Sequence, residues 1–508
     1  MRILFACLGW LFALTGAAAA EPIVLFEDHR DIGAVSLPGG VLHDAVSGSY
    51  RVTGAGANIW GGEDAFHFVW TRRSGDLHAA ASIAFVGHGG DPHRKAGLMI
   101  RQNPTPGSPY ADVMVHGDGL VALQYRETQD GPTRQIVSDV TGVRGVRLER
   151  EGDYVFFSVA GEDGVFRHAG GNYRIALRAP YLVGLAVSAH DDRRTETALF
   201  SEVSLTVPRL AYIPDTGYPA AVESSLEVME VDGAQTRRVV RHFDGKIEAP
   251  NWTRDGRSLI YNRDGLIYRI PVAGGTSEPI DTGPNRRNNN DHGLSPDGTR
   301  LIISDQSEPD NVSRIHILPL AGSDRPQLVV GHPTHPSYWH AWSPDGRTIA
   351  YAATRPETDG DFEIYVRDLA GGPERRLTTS PGVDDGPEYS PDGRFLYFNS
   401  TRSGAMQIWR MGIDGSGPVQ VTTDPDYRDW FPHLSPDGRW IVFISFGLDI
   451  ELGDHPPNRD VDLRIMPADG SAGPRVLTRL FGGQGTINVP SWSPDGRSIA
   501  FVSYRLKR

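Results

Sequence analysis

The tetrapeptide Ser-Pro-Asp-Gly occurs five times in this chain, beginning at Ser295, Ser343, Ser390, Ser435 and Ser493, always after Leu, Trp or Tyr. A degenerate copy, Trp252-Thr253-Arg254-Asp255-Gly256, precedes them all. Proline presets φ for the first central position of a turn, aspartate can hydrogen-bond its own backbone, and glycine takes positive φ cheaply. Apolar runs flank each copy, as in Ile349-Ala350-Tyr351, so each reads as a β-hairpin. The aspartates at 255, 297, 345, 392, 437 and 495 are separated by 42, 48, 47, 45 and 58 residues. A period of roughly 40–50 residues with four strands per unit predicts a β-propeller.

Each hairpin is followed by two further strands about a glycine turn, as in Glu363 to Leu369, Ala370-Gly371-Gly372 and Arg375 to Thr378. The last hairpin reaches Arg508 without such a pair, and a spare pair (Leu226 to Gly233, Arg237 to Val240) precedes the first hairpin. The expected architecture is therefore all-β, with a six-bladed propeller over 220–508 whose last blade is shared by both ends of the domain, leaving no open edge. The repeats resemble the TolB-type, WD-repeat-like propeller family, marked by the Trp-Ser-Pro-Asp-Gly hairpin. That resemblance implies fold; such propellers serve as binding platforms, protease gates and lyases.

At the start of the chain, Met1-Arg2, an apolar stretch from Ile3 to Leu14 and Ala17 to Ala20 have the order of a secretory signal over 1–20. The stretch is too short to span a membrane, so the expectation is a periplasmic or secreted protein with no integral membrane segment after processing. Cys7 is the only cysteine, which leaves the mature chain no disulfide and no thiolate chemistry. The formal net charge of −13 argues against a nucleic-acid partner. Residues 22–207 lack the tetrapeptide and carry short alternating runs, such as Gly48 to Thr53 and Tyr154 to Val159, spaced as in a β-sandwich. Their order resembles a concanavalin/laminin-G-like jelly roll, with Gly97-Leu98-Met99-Ile100-Arg101 the most suggestive run. Residues 208–219 read as a linker.

Blade connectivity places the entry to each innermost strand at the mouth of the central channel, on the face opposite the Ser-Pro-Asp-Gly turns. The six entries are Glu248-Ala249-Pro250-Asn251, Asn290-Asp291-His292-Gly293, Tyr338-Trp339-His340-Ala341, Asp385-Gly386-Pro387-Glu388, Trp430-Phe431-Pro432-His433 and Asn488-Val489-Pro490-Ser491. Proline holds the third place in four of them, and His292 and His340 replace it in the other two. Glu388 and His433 stand one place later, where pleating turns them to another side. A loop inserted in the fifth blade adds His455 and Asn458, the glycine-rich entry to the last adds Gln484, and the entry to the second adds Arg287.

These residues suggest catalysis by His292, His340, Glu388 and His433, and substrate binding by Asp291, Trp339, Tyr338, Asp385, Trp430, His455, Asn458, Gln484, Asn488 and Arg287. Imidazole and carboxylate suit a divalent cation, with His292 and His340 the first candidates. Two chemistries are open: a polysaccharide lyase, with a cation or arginine neutralising a uronate while a base takes the α-proton, or a glycoside hydrolase with paired carboxylates. Oligogalacturonate lyases resemble the first scheme in using a related propeller with a histidine-bound metal, but their ligand spacing does not map onto this sequence and no residue is carried over. The expectation is an exported glycan-recognising protein with its site on the propeller rim; the alternative is a non-catalytic TolB-like scaffold that binds an envelope protein.

Overall fold

Each Ser-Pro-Asp-Gly turn folds through contacts contained within it. At Ser343 the hydroxyl donates to Asp345 Oδ1 at 2.6 Å, the same oxygen accepts from Arg347 N at 3.0 Å, and Thr348 N donates back to Ser343 Oγ at 2.9 Å. Gly346 closes the turn at φ +70°, a conformation that strains any residue with a Cβ. The Ser–Asp contact recurs at Ser295, Ser390, Ser435 and Ser493, and Thr253 makes it with Asp255. These hydrogen bonds, the serine's first, hold the Asp345 carboxyl below its ordinary range.

The computed structural model describes residues 23–208, 222–233 and 235–507. The expected signal segment, and all but the first residue of the expected linker, lie outside them. The hairpins extend into four-stranded antiparallel sheets, of which one is Ser337–Trp342, Thr348–Ala353, Glu363–Asp368 and Arg375–Arg376. There are five such sheets, so the expectation of six four-stranded blades is corrected to five. The remaining sector is built differently. Ser498–Leu506 pairs with Val222–Glu230 from Leu506↔Val222 to Ser498↔Glu230, which joins the two ends of the propeller chain. Its innermost strand is reduced to a single bridge, Trp492↔Ile499. Its outer strand, Arg237–Asp244, adds in parallel to Arg134–Val137 of the N-terminal region. The closing strands thus belong to a ten-stranded sheet that runs from one region into the other, and the outer edge of Arg237–Asp244 is covered by the N-terminal region.

On the turn face the ring is continuous. Gly298 lies against Arg254, Gly346 against Pro296, Gly393 against Pro344, Gly438 against Pro391, Gly496 against Pro436 and Gly256 against Pro494.

The N-terminal region packs a seven-stranded antiparallel sheet on the rest of the ten-stranded one. Inward residues alternate along the strands, with Val69, Leu98, Ile100, Val113 and Leu123 from one sheet meeting Val52, Ala79, Val146, Leu148 and Phe157 from the other. The seam with the propeller is buried and polar. Arg237, without solvent exposure, donates to both Glu227 oxygens (2.9 and 2.7 Å), to Asn172 O (2.7 Å) and to Thr478 Oγ1 (3.1 Å). Ser503 Oγ donates to Glu227 at 2.6 Å. Among the described residues no helix is long and apolar enough to cross a membrane.

Candidate functional site

The innermost strands carry a β-bulge where each enters the channel, and the bulge decides which side chain faces the opening. Gly386-Pro387 and Phe431-Pro432 are inserted opposite single partners, with Gly386 at φ +60° and Phe431 at φ +53°. Ala249, before Pro250, likewise has φ +57°. Where His340 replaces the proline it is itself the extra residue: Trp339 pairs with Tyr351 and Ala341 with Ala350, leaving His340 outside the ladder and turned to the channel. In the neighbouring blade the irregularity lies between Asn288 and His292 instead, which puts Asp291 in the bulge and His292 back in register opposite Ile303. Two histidines at the same place in the repeat therefore have different surroundings.

At the mouth opposite the turn ring is a cavity of about 710 Å³. The first residue of all six entries lines it: Glu248, Asn290, Tyr338, Asp385, Trp430 and Asn488. Of the residues singled out in the sequence, Arg287, Asp291, Tyr338, His340, Asp385, Trp430, His455, Gln484 and Asn488 come together here.

The others do not. His292 is fully buried away from the cavity lining, beside the Ile260 backbone, and burial presses its pKa down to about 4. It does not line the cavity that His340 lines. Glu388 and His433 satisfy each other at 2.7 Å; Glu388 also accepts from Leu434 N (2.8 Å), and the second ring nitrogen of His433 meets Ile487 O at 2.5 Å. Both nitrogens of His433 are thus occupied by acceptors. Trp339, 1 % exposed, packs over Gly293. Asn458 lines a second cavity of about 470 Å³ at the seam between the two regions, with Arg174, Tyr427 and Asp460. Sequence reasoning did not select Lys246, Glu248, Asn290, Gln306, Phe362 and Phe431, which also line the main cavity. The signal that finds three of them was available: Glu248 and Asn290 hold the first place of their entries, and Phe431 stands before the proline.

On the floor, His340 Nε2 lies 3.0 Å from Asp385 Oδ1, and Gly386 N donates to the same carboxylate at 2.7 Å. Burial alone would depress His340, but Asp385, then Asp291 and Glu388, outweigh it and raise its pKa. Burial works on Asp385 in the upward direction and His340 overcomes it, holding that carboxyl low. Asp291 is different. Burial, with help from Asp385 and Glu248 and against His340, carries its pKa up to about 7. Its side-chain contact is Asn488 Nδ2 at 3.2 Å. Burial pushes Tyr338 up to about 12 and lowers His455, whose ring lies 4.3 Å from that of Trp430 and 5.3 Å from that of Phe431. Lys246 and Glu248 pair at 2.5 Å.

Two of the lining amides, Asn262 and Asn288, are committed to the fold. Asn262 donates to Asn288 O and Asn289 O (2.7 and 2.6 Å), and Asn288 donates to Gly265 O and Asn285 O (2.8 and 2.9 Å). They brace the bulged segment that presents Asp291. Elsewhere, among the described residues, His78, Glu149 and Glu151 have ligating atoms close enough for a metal ion, but Arg505 already bridges the two carboxylates at 3.1 and 3.0 Å.

Comparison with known proteins places the repeats. The TolB beta propeller domain model matches residues 311–450. An uncharacterized protein of Agrobacterium fabrum is 47 % identical over 290 residues, covering 57 % of this chain and 95 % of that one. The solved structure of a putative TolB from Agrobacterium tumefaciens shares 46 % identity and covers 56 % of this chain and 99 % of that one, with a TM-score of 0.52. The Tol-Pal system protein TolB of Bordetella pertussis is 48 % identical over 54 residues, 10 % of this chain and 12 % of that protein.

Proposed function

Because the chain belongs to the TolB-like β-propeller family, we propose that it is a periplasmic binding protein of the cell envelope whose propeller cavity receives a segment of a partner protein. The observation that carries this reading is the convergence of all six strand entries on one cavity of about 710 Å³. Its walls mix aromatic side chains (Tyr338, Phe362, Trp430, Phe431) with a few charged groups, the composition of a pocket that accepts an anchoring side chain. The binding residues are Asp291, Tyr338, His340, Asp385, Trp430, His455, Gln484, Asn488 and Arg287. The N-terminal sandwich is read as a concanavalin/laminin-G-like accessory module over 22–207, and residues 1–20 as the export signal.

One observation favours a second reading. His340 and Asp385 form a pair at 3.0 Å beside an Asp291 that is half protonated near neutral pH, an acid and a base on one floor. On this reading the protein cleaves a glycan as a lyase or hydrolase. Asn262 and Asn288, being committed to backbone carbonyls, do not add to it.

A photoreactive amino acid placed at Gln484 or Phe362, with a control at Arg347 on the turn ring, separates the readings in living cells. A discrete envelope-protein adduct from the cavity positions alone is the expected result. Equal labelling from both faces, or none, sinks the docking reading. New reducing ends or unsaturated product from a glycan panel, lost in His340→Ala, establishes the enzyme in its place.

A further inference from the structure

Asp291 is a carboxylate on the floor of an open cavity, 6 % exposed, and among the described residues no cation lies within ion-pair distance of it. Three of the positive groups that line the cavity have other partners. His340 is held by Asp385 at 3.0 Å, Lys246 by Glu248 at 2.5 Å, and the Arg287 guanidinium donates to Asn311 Oδ1 at 2.7 Å. Asn488 supplies one amide hydrogen bond, at 3.2 Å. A carboxylate withdrawn from water with one neutral donor is under-compensated, because a buried charge is stable only when paired and hydrogen-bonded. The fold nevertheless invests structure in presenting it: the bulge between Asn288 and His292 turns it inward, and Asn262 and Asn288 brace that segment. Tyr338, Phe362, Trp430 and Phe431 line the same space, a surrounding suited to a hydrocarbon stem and to cation–π contact.

We infer that the cavity floor binds an organic cation, an ammonium or guanidinium group, with Asp291 as its counter-ion and the aromatic side chains around its stem. This deepens the docking reading and rests on it: the anchor is a lysine or arginine side chain of the partner. Binding ionises Asp291, whose resting carboxyl is raised by burial and by Asp385 and Glu248, so a ligand bound at pH 6 displaces a proton. Glu248, Asp385, His340, Tyr338 and Asn488 face the same space; His340 stays with Asp385.

The test is titration calorimetry of the full chain with N-acetyl-lysine amide and N-acetyl-arginine amide, beside the neutral isostere N-acetyl-norleucine amide, the free diamine putrescine, and calcium chloride. The expected result is binding of the lysine or arginine probe at least tenfold tighter than norleucine. That affinity is lost at least tenfold in Asp291→Asn, and about one proton is released at pH 6, read from the buffer dependence of the enthalpy. Tighter binding of putrescine than of either amino-acid probe overturns the side-chain source and assigns a free amine. Equal binding of norleucine, or unchanged binding by Asp291→Asn, overturns the inference. Calcium that binds alone and displaces the probes makes the floor a metal site and overturns it as well. Loss of amine binding with cavity crosslinks retained refutes this inference alone; amine binding without crosslinks refutes the docking reading alone.

Discussion

Replacing Asp291 by asparagine makes the empty protein more stable at neutral and alkaline pH. Asparagine copies the neutral form of the carboxyl and keeps an oxygen to accept from Asn488, now at 3.2 Å. The carboxyl titrates near 3.8 in an open chain and at about 7 in the fold. An acid whose pKa is raised by folding weakens the fold as pH climbs, because the unfolded chain gives up its proton first. The loss begins near pH 4, grows through the interval between the two values and is complete above pH 7. One pKa unit is worth about 1.4 kcal/mol, so the displacement of about three units corresponds to about 4 kcal/mol. His340, whose pKa is raised chiefly by Asp385 and in part by Asp291, loses its stabilising contribution as pH rises through its folded value; the variant lacks the Asp291 part of that contribution, which makes its gain smaller at pH 5 than at pH 8. The assay is urea unfolding of parent and variant at pH 5 and pH 8, followed by circular dichroism. The expected gain is about 4 kcal/mol at pH 8, shrinking to roughly 1–2 kcal/mol at pH 5. A variant no more stable than its parent at pH 8 refutes the claim that Asp291 is an uncompensated buried acid.

Arg237→Ala leaves Glu227 buried without its guanidinium and is expected to lower stability by about 3–5 kcal/mol, with Glu227→Ala/Arg237→Ala losing less than the sum of the single changes; equilibrium unfolding measures both. A loss below about 1 kcal/mol would show that the seam between the two regions does not depend on this pair. Glu388→Ala strips acceptors from His433 and Leu434 N and is expected to lower stability by about 3 kcal/mol while lysine-probe affinity stays unchanged, because the pair lies outside the cavity. Gly293→Ala sets a Cβ 2.2 Å from Trp339 Cη2, so unfolding measurements should show a loss of about 1–3 kcal/mol.

The mouth of the channel was legible as a place, because connectivity assigns both strand entries and the inserted loop to one face. The facing of individual side chains was not. His292 and His340 look equivalent in the repeat, yet a bulge takes one residue out of register and leaves the other in it. Glu388 and His433 look like chemistry because they put acid–base groups one place after the entry proline, and they prove to be partners across neighbouring blades. The first place of each entry lines the cavity throughout; Tyr338, Asp385, Trp430 and Asn488 stand out there by type, whereas Glu248 and Asn290 share no chemical type with them that would mark the position.

What the chain determines unaided is local. Serine, aspartate and glycine within five residues close each turn with their own hydrogen bonds, so the repeat, the hairpins and the meeting of the propeller ends can be read from composition and spacing. Tertiary structure alone decided that the closing strands would join the N-terminal sheet and leave five four-stranded blades, because an exposed sheet edge pairs with whatever strand packs beside it. It decided too that Asp291 would be buried without a cation, since a carboxyl's charge state depends on neighbours brought from four other strand entries: Glu248, His340, Asp385 and Asn488.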